Sequence, residues 1–348
     1  MGKLSNPGPM LGAKAPQAVV CSRWARLRAN VFSATCLAMS LALGFVTIAR
    51  AQTQAATTPL LLPAATVFDA SGNLYFVETG NHSVRKFSAA GVITTVAGTG
   101  VEGFAGDGGL ATAAELDSPA GLALDSAGDL FIADTHNHCI REVSAATGLI
   151  STIAGTGVAG FSGDGGLATA AKLDLPTALG IDATGNLYIA DTDNHRVRKI
   201  AAGSGVITTV AGNGIEAFAG DGGMATAASI DSPNGLALDS ASNLYIADTH
   251  NGRVRMVSAS TGLISTVAGA GITGGNVQNF SGDGAAANSA GLALPRGLTL
   301  DSAGNLYIAD SANHRIRKVA VSDSVISTVV GMGMENFAGD KAPAVAAN

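Results

Sequence analysis

The stretch Ile189–Ile200, IADTDNHRVRKI, places Asp191, Asp193, His195, Arg196 and Arg198 close together. Carboxylate, imidazole and guanidinium at this density are the groups that hold transition metals or move protons in an active site. The stretch is not unique. It recurs as FVETGNHSVRK, IADTHNHCIRE, IADTHNGRVRM and IADSANHRIRK, and all six histidines (His82, His136, His138, His195, His250 and His314) fall in these copies. A catalytic zinc needs three converging ligands and an open position. Equivalent turns spread over successive repeats do not converge. The reading from the residues is therefore a repeated turn. In it Asn bonds the backbone, and each acid pairs with an arginine of its own or a neighbouring unit. The expected pairs are Asp134 with Arg141, Asp191 with Arg198, Asp248 with Arg255 and Asp310 with Arg317; the first unit offers Glu78 and Arg85.

A second marker runs in phase: FAGDGGLATAAEL, FSGDGGLATAAKL, FAGDGGMATAASI, FSGDGAAANSAGL and FAGDKAPAVAAN. Its aspartates are Asp107, Asp164, Asp221, Asp283 and Asp340, at steps of 57, 57, 62 and 57 residues, with an insertion at Gly271–Gln278 in the long step. Glycines beside an acid can expose carbonyls, so a ring of calcium sites is one expectation; otherwise no cofactor is expected. The alternative is an Asx-type turn that packs Phe104, Phe161, Phe218, Phe280 and Phe337 between units. DSAGD (125–129) and DATGN (182–186) look like fragments of calcium loops but lack the downstream Glu such loops need. No phosphate loop and no G-x-S-x-G elbow is present. Cys139 stands where the third unit has Arg196, a position expected at the surface.

In a repeat, one site arises where one unit differs. Arg296 replaces Ala120 and Asn234 of other units, beside the insertion. Arg296, Asn234, Asp164, Asp221 and Asp283 are thus the ligand-binding candidates, and an Arg there would suit an anionic ligand.

The elements that must carry these groups follow from the pattern. Each unit holds four short β-like runs; in the third they are Ala178–Asp182, Leu187–Asp191, Arg196–Ile200 and Val206–Gly212, with a Gly/Asn hairpin signal between the first two. Forty-six glycines and only 13% charged residues suit a turn-rich, small-residue β core. Four antiparallel strands per unit, repeated around an axis, make an all-β propeller. The Asp-Thr turns and Gly-Asp connections then share one face. Units are expected at about 64–116, 117–173, 174–230, 231–292 and 293–348, after a linker at 52–63: five blades, or a six-bladed plan lacking one, with no strand swap to join first to last.

The blade pattern PxGLALDSAGNLYIADTxNHRVRKV resembles the NHL repeat family, which includes the propellers of teneurins and of many exported bacterial proteins. The resemblance covers residues 64–348 and implies a six-bladed fold in most members. Propeller folds host unrelated activities, among them gluconolactonase-like hydrolases, streptogramin-type lyases and amidating lyases. Those need singular metal or His residues in the central channel, whereas here every His belongs to the repeat.

Residues 1–51 read as a secretory signal peptide: Lys3, Lys14, Arg23, Arg26 and Arg28 precede the apolar run Val31–Ile48, and Ala49 and Ala51 form the cleavage pattern. Removing it leaves 14 basic against 26 acidic residues, net −12, which disfavours nucleic acid. Cys139 would remain as a lone thiol, and no later stretch suits a membrane span. The expectation is a secreted, periplasmic or cell-surface propeller that binds protein or carbohydrate without catalysis. A channel hydrolase or lyase is the alternative. A third reading is a scaffold whose ring is completed by a partner or a second copy.

Overall fold

The computed structural model describes residues 59–271, 280–334 and 344–346. The expected leader, most of the linker and of the insertion, and Phe337 and Asp340 lie outside the described residues. Twenty strands form five four-stranded antiparallel sheets, each in simple consecutive order, arranged in a ring as a five-bladed β-propeller. Blade 1 comprises β1 (Pro63–Phe68), β2 (Leu74–Glu78), β3 (Ser83–Phe87) and β4 (Ile93–Ala97). Blade 2 comprises β5 (Gly121–Leu124), β6 (Leu130–Asp134), β7 (Cys139–Val143) and β8 (Ile150–Ala154). Blade 3 is β9 (Pro176–Ile181), β10 (Leu187–Asp191), β11 (Arg196–Ile200) and β12 (Ile207–Ala211), within a residue or two of the runs read from the sequence. Blade 4 is β13 (Pro233–Leu238), β14 (Leu244–Asp248), β15 (Arg253–Val257) and β16 (Ile264–Ala268). Blade 5 is β17 (Pro295–Leu300), β18 (Leu306–Asp310), β19 (Arg315–Val319) and β20 (Ile326–Val330).

Side chains alternate across each strand, so every blade has two apolar faces. In β10, Leu187 and Ile189 point one way, and Tyr188 and Ala190 the other. The core is accordingly four separate layers, each between successive blades. Ala133, Ile140 and Ala154 of blade 2 meet Leu187, Ile189 and Ile207 of blade 3. Ala190, Val197 and Ala211 repeat the arrangement against Ile246 and Ile264 of blade 4. Small residues on the forward face of one blade thus receive large residues on the backward face of the next. The inner strands follow suit: β1 packs on β5, β5 on β9, β9 on β13 and β13 on β17, whereas β17 makes no comparable packing on β1.

Two local devices set the geometry. In the β9–β10 hairpin, Asp182 Oδ1 accepts the backbone N–H groups of Thr184 and Asn186 at 2.9 and 3.0 Å. Asp125 does the same in DSAGD, so both calcium-like fragments are Asx-type hairpin turns. After β12 the chain leaves through Gly212 at φ +86°, where a Cβ would collide with the carbonyl of His195. Only glycine takes that conformation at such close approach, which explains why AG closes every fourth strand through blade 4. The Ala-rich part of each connector forms a single 3-10 turn, as at Ala168–Ala170.

Two sequence expectations are corrected. Phe104, Phe161, Phe218 and Phe280 do not pack between blades; they are exposed. Cys139 is fully buried rather than at the surface. It opens β7 opposite Asp134, and burial pushes its thiol pKa up, away from reactivity.

Candidate functional site

The turn and the connector meet at one arginine per blade. β10 ends at Asp191, Thr192–Asn194 make a 3-10 turn, and His195 reverses the chain in the left-handed region at φ 52°. This re-aims β11 so that Arg198 returns opposite Ile189. The Asp191 carboxylate accepts the Asp174 N–H at 2.7 Å, both oxygens accept from Asn194 Nδ2 at 2.8 and 2.9 Å, and Arg198 Nη1 donates at 3.2 Å. On the other side, Asp164 of the preceding connector accepts from Arg198 Nε at 3.0 Å and Nη2 at 2.7 Å, and from Thr209 Oγ1 at 2.7 Å. Carbonyls of Ser162 and Lys172 complete the shell at 3.1 and 3.4 Å. Arg198 is therefore wholly buried between two carboxylates, one from its own blade and one from the connector.

The arrangement repeats. Arg141 joins Asp134 and Asp107, Arg255 joins Asp248 and Asp221, and Arg317 joins Asp310 and Asp283. An aromatic ring roofs each: Phe161 lies 4.8 Å from Arg198 and 3.7 Å from Arg196, and Phe218 and Phe280 cover Arg255 and Arg317 alike. Stacking on a guanidinium is what holds these exposed phenylalanines. Blade 1 differs: Arg85 meets Glu78 at 2.7 Å, and no connector precedes it among the described residues.

Two further contacts cross from each turn to the next blade. Thr79, Thr135, Thr192 and Thr249 each donate a hydroxyl to the carbonyl of the next blade's inner-strand proline, at 2.7–2.8 Å. His82, His138 and His195 accept the next blade's backbone N–H at Nδ1, from Ser118, Leu175 and Ser232 at 3.1–3.2 Å. In blade 4, Gly252 takes the place of this histidine and keeps its positive φ. His136 and His250, two residues before the bridging position, approach Asp117 and Asp231 at 3.5 and 3.4 Å, the acids that His82 and His195 of the preceding turns approach at 3.6 and 3.4 Å. In blade 3 that position is Asp193, whose pKa is raised by burial and by Asp174.

The sequence-derived ligand candidates are thus distributed as follows. Asp164, Asp221 and Asp283 are engaged by Arg198, Arg255 and Arg317, and a guanidinium within 3 Å of each acid repels calcium. Asn234 donates to the Ser232 carbonyl at 2.9 Å. Arg296 is exposed on β17, the inner strand of blade 5. The structure does not bring Arg296 together with the three acids. Among the described residues, no group of three His, Cys, Asp or Glu is arranged to hold a metal ion. The inter-blade threonines and the Phe–Arg stacks were missed from sequence, although Thr recurs beside the acid in four repeats and Phe recurs three residues before each Asp. Also missed was an exposed apolar residue at one connector position, Val101, Val158 and Ile215 at 58, 53 and 59% exposure, with Met334 at the same place after blade 5 at 51%. Gly103, Gly160 and Ala217, two residues after Val101, Val158 and Ile215, accept from Asn137, Asn194 and Asn251 of the next turn, so these three residues lie beside the Asp-Thr turns.

Burial pushes Asp134, Asp191 and Asp248 up to about 6, against the pull of their backbone, Asn and Arg donors. Asp310 shifts the same way. The unfolded value is about 3.9, so the folded state holds the proton more tightly. These groups add stability below about pH 4, and that contribution is lost as pH rises through about 6. Asp191→Asn removes one of them. Its melting temperature should fall less between pH 5 and 7.5 than that of the unmodified protein; an equal or steeper fall contradicts the assignment.

Comparison with known proteins agrees with this repeat. The NHL repeat profile matches residues 116–142 and 173–200, and the teneurin NHL domain profile matches residues 267–346. NHL repeat-containing protein 2 of Gallus gallus is 30% identical over 79% of this chain and 41% of its own length. Teneurin-4 of Mus musculus is 33% identical over 74% of this chain and 10% of its own length. The chain thus spans less than half of either relative. A chain in the crystal structure of a nidogen/laminin complex shares the fold with TM-score 0.53 and 18% identity, over 77% of this chain and 79% of that one. The chain is a β-propeller built of NHL repeats.

Proposed function

We propose that this NHL propeller is an exported, non-catalytic binding module that engages a protein through the face carrying the connectors and Asp-Thr turns. The observation that carries the reading is the recurrence of an exposed Val, Ile or Met at the same connector position, Val101, Val158, Ile215 and Met334. Large apolar side chains repeated on one surface mark an interaction site. Their aliphatic character suits a protein better than a carbohydrate, which is held by polar groups and free aromatic faces. The clamp acids and arginines, and His82, His138 and His195, are bonded to the propeller itself on this face, so they position the loops. The kinship with teneurins, and the fold shared with a chain of the nidogen/laminin complex, are in keeping with a protein partner. The basic and then apolar sequence of residues 1–51 supports export.

Two measurements test the parts separately. Mass spectrometry of protein recovered outside the cytoplasm should place the mature N-terminus at Gln52; an intact Met1 or Met10 terminus contradicts export by cleavage. Cross-linked capture from the exported fraction should recover protein partners with the unmodified propeller. Val158→Asp combined with Ile215→Asp should lose them while melting unchanged. Identical capture by the variant, or none by the parent, overturns the binding reading.

A further inference from the structure

Blades 3, 4 and 5 each open the third strand with an arginine, Arg196, Arg253 and Arg315. Its guanidinium lies 3.6–3.7 Å from the ring of Phe161, Phe218 or Phe280. Its two Nη groups donate to the carbonyl two residues earlier and to one beyond the fourth strand. In blade 3 these are Asn194 at 2.9 Å and Asn213 at 2.8 Å. Blades 4 and 5 repeat both bonds. The guanidinium sits over a glycine, so a Cβ on Gly214 or Gly333 would strike it. An aromatic ring, two carbonyls and a glycine floor thus form a slot shaped for a guanidinium.

Blade 2 keeps the slot but not the arginine. Position 139 is a cysteine, too short to take its place. Phe104 is 51% exposed, against 39–43% for the three stacked phenylalanines. The carbonyls of Asn137 and Thr156 stand where those of Asn194 and Asn213 hold Arg196. Gly157 is the counterpart of Gly214. A Cβ built there would meet only the Asn137 carbonyl oxygen, at 3.9 Å. The surrounding charge favours a cation. Glu115 stands where the next three units have Lys172, Ser229 and Gly291. Its carboxylate lies against Gly103, one residue before Phe104, and Glu102 is exposed on the other side of that glycine. Arg141, 5.0 Å from the ring, is already shared between Asp134 and Asp107.

We propose that the blade 2 slot receives an arginine side chain of the protein partner. A guanidinium is what the same slot holds in three other blades. An ammonium lacks the planar fork that stacks on the ring and bonds two carbonyls at once. Val101, one of the exposed apolar residues of the binding face, lies in the same connector. The source of the arginine rests on the protein-binding reading above; the slot itself does not.

N-acetyl-arginine amide, titrated into the full chain and followed by proton–nitrogen NMR, tests the slot without any partner. The Gly157 amide signal should shift and saturate, with binding roughly tenfold tighter than that of the neutral isostere N-acetyl-citrulline amide. Cys139→Arg supplies the guanidinium from within and should abolish the shift. Phe104→Leu, at an exposed position, should weaken binding by about fivefold with an unchanged circular dichroism spectrum. No shift at Gly157, equal binding of the citrulline probe, or binding unchanged by Phe104→Leu overturns the slot. Capture of the protein partner by Cys139→Arg at the parent's level overturns the partner as the source of the arginine. The Val158→Asp, Ile215→Asp chain should bind the probe as the parent does, so failure of the apolar face and failure of the slot are read separately.

Discussion

A guanidinium buried without acceptors for its N–H groups is costly, and the rest of this propeller is arranged to supply them; of the four fully buried arginines, only Arg317 leaves its Nε without an acceptor among the described residues. Arg198 has Asp191 from its own turn, Asp164 from the preceding connector, and two connector carbonyls. Strand, turn and a long Gly-rich connector are thereby fixed to one another at a single point. The later part of the connector is anchored separately, by Ala168, Ala171 and Leu173 buried in the blade–blade core and by backbone bonds such as Gly165 N–H to the Ile207 carbonyl. Without the arginine, the Gly-Asp segment around Asp164 would lose its side-chain anchor to the strand and turn.

The same arrangement explains why so much charge yields no reactive centre. The turn acids Asp134, Asp191, Asp248 and Asp310 are each shared between a guanidinium and a backbone N–H, and the connector acids Asp164 and Asp221 between a guanidinium and a threonine hydroxyl. The three bridging histidines use Nδ1 to accept a backbone N–H of the next blade, which leaves that nitrogen no lone pair for a metal. The cost of burial shows in the raised pKa of Asp134, Asp191 and Asp248. Removing one partner of such a buried pair costs about 3–5 kcal/mol, so the clamp constrains the blade more strongly than any exposed ion pair would.

The blade was legible in the sequence because period-two alternation and glycine punctuation are local signals, and the repeat supplied five readings of each. The acid–arginine pairing was also suggested by recurrence. The second carboxylate was not: Asp164 lies 34 residues before Arg198, in a segment whose glycines suggested cation binding. Nothing local shows that a connector folds back over the next blade. Cys139 misled for a related reason. Its counterpart Arg196 reaches out along Phe161 from a position whose short side chains are buried, so a long residue concealed the burial of the site.

The central claim is that the connector is held by its acid through the buried arginine. A double-mutant cycle on Asp164→Asn and Arg198→Met, measured by urea unfolding, tests it most directly. The account predicts that the two substitutions are strongly non-additive, with a coupling of about 1–3 kcal/mol. Additive effects would mean that Asp164 and Arg198 stabilise the blade independently, and the connector would then owe its course to something else.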